Sequence, residues 1–191
     1  VTGEMEKVYD GWEFPDEWSV ECFCLEAPKL TKKSGYYFLT SAQGGTAGPA
    51  TSHMVVSARS TNALGPWENS PHNPVIHTKS REDRWWSKGH GTLVDDTKGN
   101  WWIMFHGYEK NFHTLGRQTL MQPVIWTDND WYKLPEGANV ETKTDRPTGE
   151  NTGKPLDRSD DFSSPELGIQ WQFFKNYNPD RFDLTGKSLI M

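Results

Sequence analysis

Cysteine is nearly absent: Cys22 and Cys24 are the only two in 191 residues. Two positions apart on a strand they would share a face, and so short a loop rarely closes into a disulfide. No second C-x-C or C-x-x-C accompanies them, and no paired histidine spacing, so zinc is not expected there either. The expectation is two small buried residues that say little about redox compartment. Basic charge is also scarce. Lys and Arg total 20 against 26 Asp and Glu, a net charge of −6 with no basic tract, which excludes nucleic acid and anionic membrane as natural partners. No apolar run approaches the roughly 20 residues that span a bilayer. No signal-peptide pattern opens the chain, and neither does an initiator Met, so a segment upstream of Val1 is expected. The absence of any N-x-S/T sequon disfavours a secreted eukaryotic glycoprotein. Aliphatic core formers are thin, with 34% hydrophobic residues and a mean hydropathy of −0.79. Rings take their place: ten Trp, six Tyr and nine Phe make up 13% of the chain.

Helical periodicity is scarce too. Short apolar runs are bounded by Gly, Pro, Asn and Asp, the pattern of an all-β protein. Tyr36-Tyr37-Phe38-Leu39 follows Gly35, and Trp101-Trp102-Ile103-Met104-Phe105 follows Gly99 and Asn100; both read as strands leaving a tight glycine turn. His53 to Arg59 reads as a further strand and Gly65-Pro66-Trp67 as a turn. Gly35 to Gly99 is 64 residues, and so is Trp67 to Trp131. The same offset lays Leu25-Glu26-Ala27-Pro28-Lys29-Leu30 on Gly89-His90-Gly91-Thr92-Leu93-Val94. Four short strands in a unit of this size describe a blade of a β-propeller. The repeat also makes Glu26 and His90 equivalent in consecutive blades. If each opens an innermost strand, both point to the propeller axis, where such folds bind ligands.

The chain divides into propeller blades over 1–134, a linker or long loop over 135–159, and the start of another domain over 160–191. The middle stretch holds Thr, Asn, Gly, Pro and charges with few large apolar residues. Leu167 to Phe173 alternates apolar with polar or small residues and is expected to be a strand entering a new sheet.

Several of these segments resemble glycoside hydrolase family 43. Leu25-Glu26-Ala27-Pro28, Gly35-Tyr36-Tyr37, Ala42-Gln43-Gly44-Gly45-Thr46 and Ala58-Arg59-Ser60 are similar to its third blade. Gly89-His90-Gly91 with Gly99-Asn100-Trp101-Trp102 resembles the fourth, together with Gly116-Arg117-Gln118-Thr119 and Pro123-Val124. Asp161-Phe162-Ser163-Ser164 through Trp171 is similar to the opening of the β-sandwich that follows the propeller in the family's β-xylosidases. The departures are Ala27 for a usual Gly and Gln118 for Glu.

The resemblance implies part of a five-bladed β-propeller followed by the beginning of a β-sandwich. It implies an inverting exo-glycosidase acting on xylan- or arabinan-derived oligosaccharides, a β-xylosidase or α-L-arabinofuranosidase. Glu26 is then the general acid: an alkoxide leaving group needs a proton, and a carboxyl group beside the bond supplies it. Inversion needs a general base across the sugar, roughly 6.5–9.5 Å from the acid, to admit water. The family's base and a second, pKa-tuning Asp come from earlier blades, so they are expected outside this chain. Asp95 and Asp96 fall at the wrong, hairpin end of their strand. Arg117 resembles the family's sugar-subsite arginine, whose planar fork suits hydroxyls and a carboxylate. His90 resembles its axial histidine, which contacts a central ion, usually Ca2+, although calcium prefers oxygen ligands. His53 is a candidate substrate-binding residue at the pocket entrance. One Trp of each pair, Trp85-Trp86 and Trp101-Trp102, is expected in the core.

The expected partners are the oligosaccharide and the rest of the propeller, from an upstream segment or another chain. The 191-residue chain alone is expected to be inactive. A plant-polysaccharide substrate suggests a bacterial periplasmic or secreted setting. The alternative is a non-catalytic sugar-binding propeller. A metal-dependent hydrolase using His53, His90, His106 and His113 lacks any H-E-x-x-H pattern; a G-x-S-x-G elbow and a P-loop are also absent.

Overall fold

The computed structural model describes residues 3–149, 159–173, 175–176 and 178–191. Two compact units emerge, Val1–Gly149 and Glu150–Met191. Among the described residues every regular element is a strand or a single 3-10 turn, and no helix is long and apolar enough to cross a membrane.

The first unit holds two antiparallel sheets of matching design. One runs β1 (Glu26–Lys33), β2 (Tyr36–Gln43), β3 (Met54–Ser60) and β4 (Glu68–Asn69), with β5 (Ile76–His77) also paired to β3. The other runs β6 (Trp85–Asp95), β7 (Trp101–Glu109), β8 (Arg117–Trp126) and β9 (Tyr132–Lys133). Three long strands and a two-residue fourth, in sequence order, are the meander of a propeller blade. The 64-residue offset holds at the outer edge, carrying Glu68–Asn69 onto Tyr132–Lys133. Gly35 and Gly99 turn the two hairpins with φ of 83° and 78°, a conformation that costs glycine nothing.

In the first strand of each blade the offset slips. A bulge spans Glu26 to Lys29 opposite Ala42 and Thr40, and its counterpart spans Gly89 to Thr92 opposite His106 and Met104. Glu26 therefore corresponds to Gly89, and His90 to Ala27, contrary to the equivalence of Glu26 with His90 expected from the repeat. The shared left-handed φ of Ala27 (51°) and His90 (61°) marks the match. The extra residue sits in the hairpin: four residues separate Lys32 from its partner Tyr37, and five separate Asp95 from Trp101.

The blades close on each other through aromatic and β-branched side chains. Phe38, Val55, Val75, Ile76, Ile103, Phe105, Trp131 and Tyr132 form one buried cluster. The inner strand β6 packs on β2 and β3 of the preceding blade. Trp102 is the core member of its pair, 4% exposed, and Trp101 packs at the cluster edge against Trp126. Of the other pair neither is fully buried; Trp85 leans on the cluster while Trp86 donates to the Arg81 carbonyl. The expected connecting stretch is laid over the blades at its start. Val140 packs on the core and the Thr148 N–H donates to the Asp96 carboxylate at 3.0 Å; residues 150–158 lie outside the described residues.

Two expectations are corrected. Cys22 and Cys24 form a disulfide, with Cα atoms 5.3 Å apart. They precede β1 instead of lying in it, and Cys24 takes a left-handed φ of 38°, so the chain folds back between them and their side chains meet. Leu167 to Phe173 is not a strand. It turns at Ile169-Gln170, with the Trp171 N–H bonded to the Gly168 carbonyl, and Ile169 is 85% exposed. Among the described residues its alternation has no neighbouring strand to pair with. The sheet of the second unit comes later, as the short antiparallel pair β10 (Asp183–Leu184) and β11 (Leu189–Ile190).

Candidate active site

The site is built where the two bulges face each other. A bulge re-aims the side chains beside it, and here it brings Glu26 of β1 and His90 of β6 together. Glu26 Oε1 lies 3.8 Å from His90 Nδ1, with the side chains 53% and 39% exposed. His106 of β7 stands behind them, its ring 5.5 Å from that of His90. His53, just before β3, stacks on His106 at 5.2 Å with the planes 7° apart. Arg117 opens β8, and its Nη1 is 3.3 Å from His106 Nε2. Guanidinium only donates, so this contact fixes the lone pair of His106 on Nε2.

Four sequence-expected residues, Glu26, His53, His90 and Arg117, thus meet around a fifth that spacing did not single out. His106 enters the sequence reading only among the four histidines of the rejected metal-hydrolase alternative. The signal was in the repeat: the 64-residue offset maps Ala42, the partner of Glu26, onto His106, the partner of Gly89. His113 stands apart, beside Trp86 and Tyr108.

His53 does not line an entrance. It is 0% exposed, sealed behind Gly89, where a Cβ would collide with its ring. Its Nδ1 donates to the Gly44 carbonyl at 2.5 Å, which leaves Nε2 as a buried lone pair without a partner. Burial pushes the pKa of all three histidines down. For His106 the fall is to about 4, through burial first and then the neighbouring His53, Arg117 and His90. For His53 burial dominates over the Gly44 hydrogen bond; for His90 burial is followed by the charge of Lys29. At neutral pH the cluster is three uncharged imidazoles beside one carboxyl group and one guanidinium.

Asp96 serves the scaffold: it accepts from the N–H groups of Lys98, Asn100 and Thr148 and so ties the hairpin. Gln118 donates to the Leu115 carbonyl at 3.2 Å, which a glutamate could not do. A cavity of about 1100 Å3 lies elsewhere, against Trp18, His77, Lys88 and Leu134, and takes in none of the site residues. The donor set at the axis does not suit calcium, which takes six to eight oxygen ligands: His90 stands among two further imidazoles with one carboxylate at 3.8 Å.

Comparison with known proteins fits this geometry. The sequence profile of Glycosyl hydrolases family 43 matches residues 1–132. The chain is 32% identical over 167 residues to the non-reducing end α-L-arabinofuranosidase BoGH43B of Bacteroides ovatus, covering 85% of this chain and 31% of that protein. A xylan 1,3-β-xylosidase of a Vibrio species is 29% identical over 163 residues, covering 77% and 28%. Among solved structures, the family 43 protein BlXynB of Bacillus licheniformis superposes with a TM-score of 0.70 at 31% identity, covering 97% of this chain and 35% of its own. The chain spans about a third of the length of these relatives. The chain belongs to glycoside hydrolase family 43, and its two sheets are blades of that family's five-bladed β-propeller.

Proposed function

We propose that this chain supplies the general acid half of an inverting exo-glycosidase that removes xylosyl or arabinofuranosyl units from oligosaccharides. The observation that carries the reading is the convergence of Glu26, His90 and Arg117, from three different strands, on one open patch at the inner edge of both blades. The names of the relatives, an α-L-arabinofuranosidase and a xylan 1,3-β-xylosidase, supply the substrate class.

Glu26 gives its proton to the glycosidic oxygen as the bond to the anomeric carbon breaks, so no alkoxide has to leave. Arg117 presents its fork to sugar hydroxyls from the far side of His106. His90, 3.8 Å from the Glu26 carboxyl, is close enough to tighten onto it when sugar fills the site. The water that attacks the opposite face of the sugar needs a second carboxylate roughly 6.5–9.5 Å from Glu26. That base, and the remaining pocket wall, come from blades outside this chain.

The test uses aryl xylosides and arabinofuranosides. The polypeptide that completes the propeller should turn over one of them and release the sugar with its anomeric configuration inverted, read by NMR before mutarotation. The 191-residue chain alone should release nothing. Turnover by the isolated chain, or retained configuration, contradicts the proposal. Sugar binding without any turnover by the completed propeller would instead favour a non-catalytic sugar-binding module.

A further inference from the structure

We propose that the cavity of about 1100 Å3 is a second, non-catalytic carbohydrate site, for a sugar unit that carries a carboxylate, a hexuronic acid. It opens where β5 of one blade meets β6, β8 and β9 of the other. Its walls include Trp18 from the segment before β1, His77 of β5, Trp85 and Lys88 of β6, Gln122 of β8 and Lys133 of β9. All of them belong to the first unit. The volume is that of a generous small-ligand pocket, roughly 300–1,000 Å3 being usual. The walls are preformed. His77 donates its Nε2 hydrogen to the Thr51 carbonyl at 2.8 Å, and Trp18 stacks on its ring at 4.4 Å with the planes 2° apart. Arg84 pairs with Glu141 at 3.1 Å and with Glu109 at 2.7 Å, which ties the wall segment 135–141 to β7.

Gln122 carries the argument. It is 4% exposed, in a row of β8 side chains whose other members, Leu120 and Val124, are apolar. Its Nε2 is buried and has no hydrogen-bond partner among the described residues. A buried donor left unpaired is costly. The terminal torsion of glutamine is soft, so the amide can turn to meet a ligand oxygen in the cavity. The charge around it favours an anion. Four cationic side chains line the cavity against three carboxylates, in a chain whose net charge is −6. Lys88, its side chain 15% exposed, lies 3.8 Å from Asp83 Oδ2, an oxygen that already accepts the Lys79 N–H at 3.0 Å. Burial holds the Lys88 pKa below the ordinary lysine value, a cost that an arriving carboxylate relieves. Lys133 has no carboxylate partner among the described residues, and its charge helps to lower the pKa of His72, another wall residue. Trp85, half-buried at the wall, offers indole surface to the apolar face of a sugar ring. Under-paired cations, a buried amide donor and an indole are the complement of a ring that bears hydroxyls and one carboxylate.

The cavity shares no residue with the axial site, and the readout is binding, so the inference stands or falls apart from the glycosidase reading. The probes are methyl β-D-glucuronide, methyl β-D-glucoside and acetate. The glucoside has a hydroxymethyl group in place of the carboxylate, and acetate has the carboxylate without the ring. Each is titrated into the 191-residue chain and followed by tryptophan fluorescence and saturation-transfer NMR. We expect the glucuronide to bind at least about tenfold more tightly than either of the others. Gln122→Leu should weaken glucuronide binding at least about fivefold and yet melt no earlier than the parent, because it removes an unpaired buried donor. Lys133→Ala should bring the glucuronide down toward the glucoside, and it carries the test alone if Gln122→Leu does not fold. Glu26→Gln should bind the glucuronide as the parent does. No saturable binding of the glucuronide, equal binding of the glucoside or of acetate, unchanged affinity in either cavity variant, or weaker binding in Glu26→Gln, which places the sugar at the axis, overturns the proposal.

Discussion

Gly89→Ala should destabilise the blades through a single identifiable contact. The position has no unusual backbone angle, so the added methyl is resisted only by what it meets, and it meets the His53 ring. That ring cannot step aside cheaply. It is 0% exposed, bonded to the Gly44 carbonyl at 2.5 Å and stacked on His106 at 5.2 Å. Forcing an extra methyl into a filled interior costs about 1–3 kcal/mol, and displacing the ring adds about 0.5–1.5 kcal/mol for its hydrogen bond. Alanine recovers about 0.4–1 kcal/mol by restricting the unfolded chain. The net loss is about 2–3 kcal/mol, roughly a 30- to 150-fold shift in the folding equilibrium. Urea unfolding followed by tryptophan fluorescence reads it as a lower midpoint with an unchanged slope. A double-mutant cycle isolates the cause: adding His53→Ala should make the Gly89→Ala penalty at least about 1 kcal/mol smaller. Stability within about 0.5 kcal/mol of the parent, or strict additivity in the cycle, refutes the packing argument.

The histidine cluster makes stability depend on pH. His106 has a pKa of about 4 in the folded chain against 6.5 for an ordinary histidine, and His53 and His90 shift in the same direction. The unfolded chain binds more protons in that window, so stability is complete above pH 6.5 and declines as pH falls toward 4. Because His106 is partly open to solvent, its share is on the order of 1–2 kcal/mol; His106→Gln should flatten the slope of a melting-temperature profile, and an unchanged slope would contradict the assignment. Ala27→Gly should stabilise by about 0.5–1 kcal/mol, because Ala27 holds a left-handed φ of 51° that costs an alanine about 1–2 kcal/mol, part of which glycine loses to its freer unfolded chain. A lower denaturation midpoint for Ala27→Gly would argue against that bulge geometry.

What the sequence made legible was whatever repeats locally. The glycine turns at Gly35 and Gly99, the aromatic second strands and the short outer strands all follow from alternation and turn chemistry, which act over a few residues. The convergence of Glu26, His90 and Arg117 was legible only because the repeat and the family resemblance supply long-range placement. The one-residue slip of the first strands was not: the bulges in β1 and β6 match, and the extra residue lies in the hairpin between Asp95 and Gly99, so the 64-residue spacing holds from Gly35 and Gly99 onward and hides the slip before them. His106 was missed for a related reason: its role comes from cross-strand pairing with Gly89, not from any motif it carries. The burial of His53 depends on the missing side chain of Gly89, a contact across 36 residues (53 to 89) that strand alternation cannot see. The disulfide and Leu167 to Phe173 failed together. Short-loop geometry argued against the first and alternation argued for strand in the second, where the backbone at Cys24 is left-handed and Ile169 lies in a turn.

The central claim is that Glu26 donates the proton to the leaving group, and leaving-group dependence tests it most directly. In the completed enzyme, Glu26→Gln should be compared with the parent on glycosides whose aglycones range from a nitrophenol, which departs without help, to a sugar alcohol, which does not. A general acid of this kind contributes about 10²–10⁴-fold, so kcat/KM should fall by that order on the poor leaving group and far less on the nitrophenol. Equal loss across the series would contradict proton donation by Glu26.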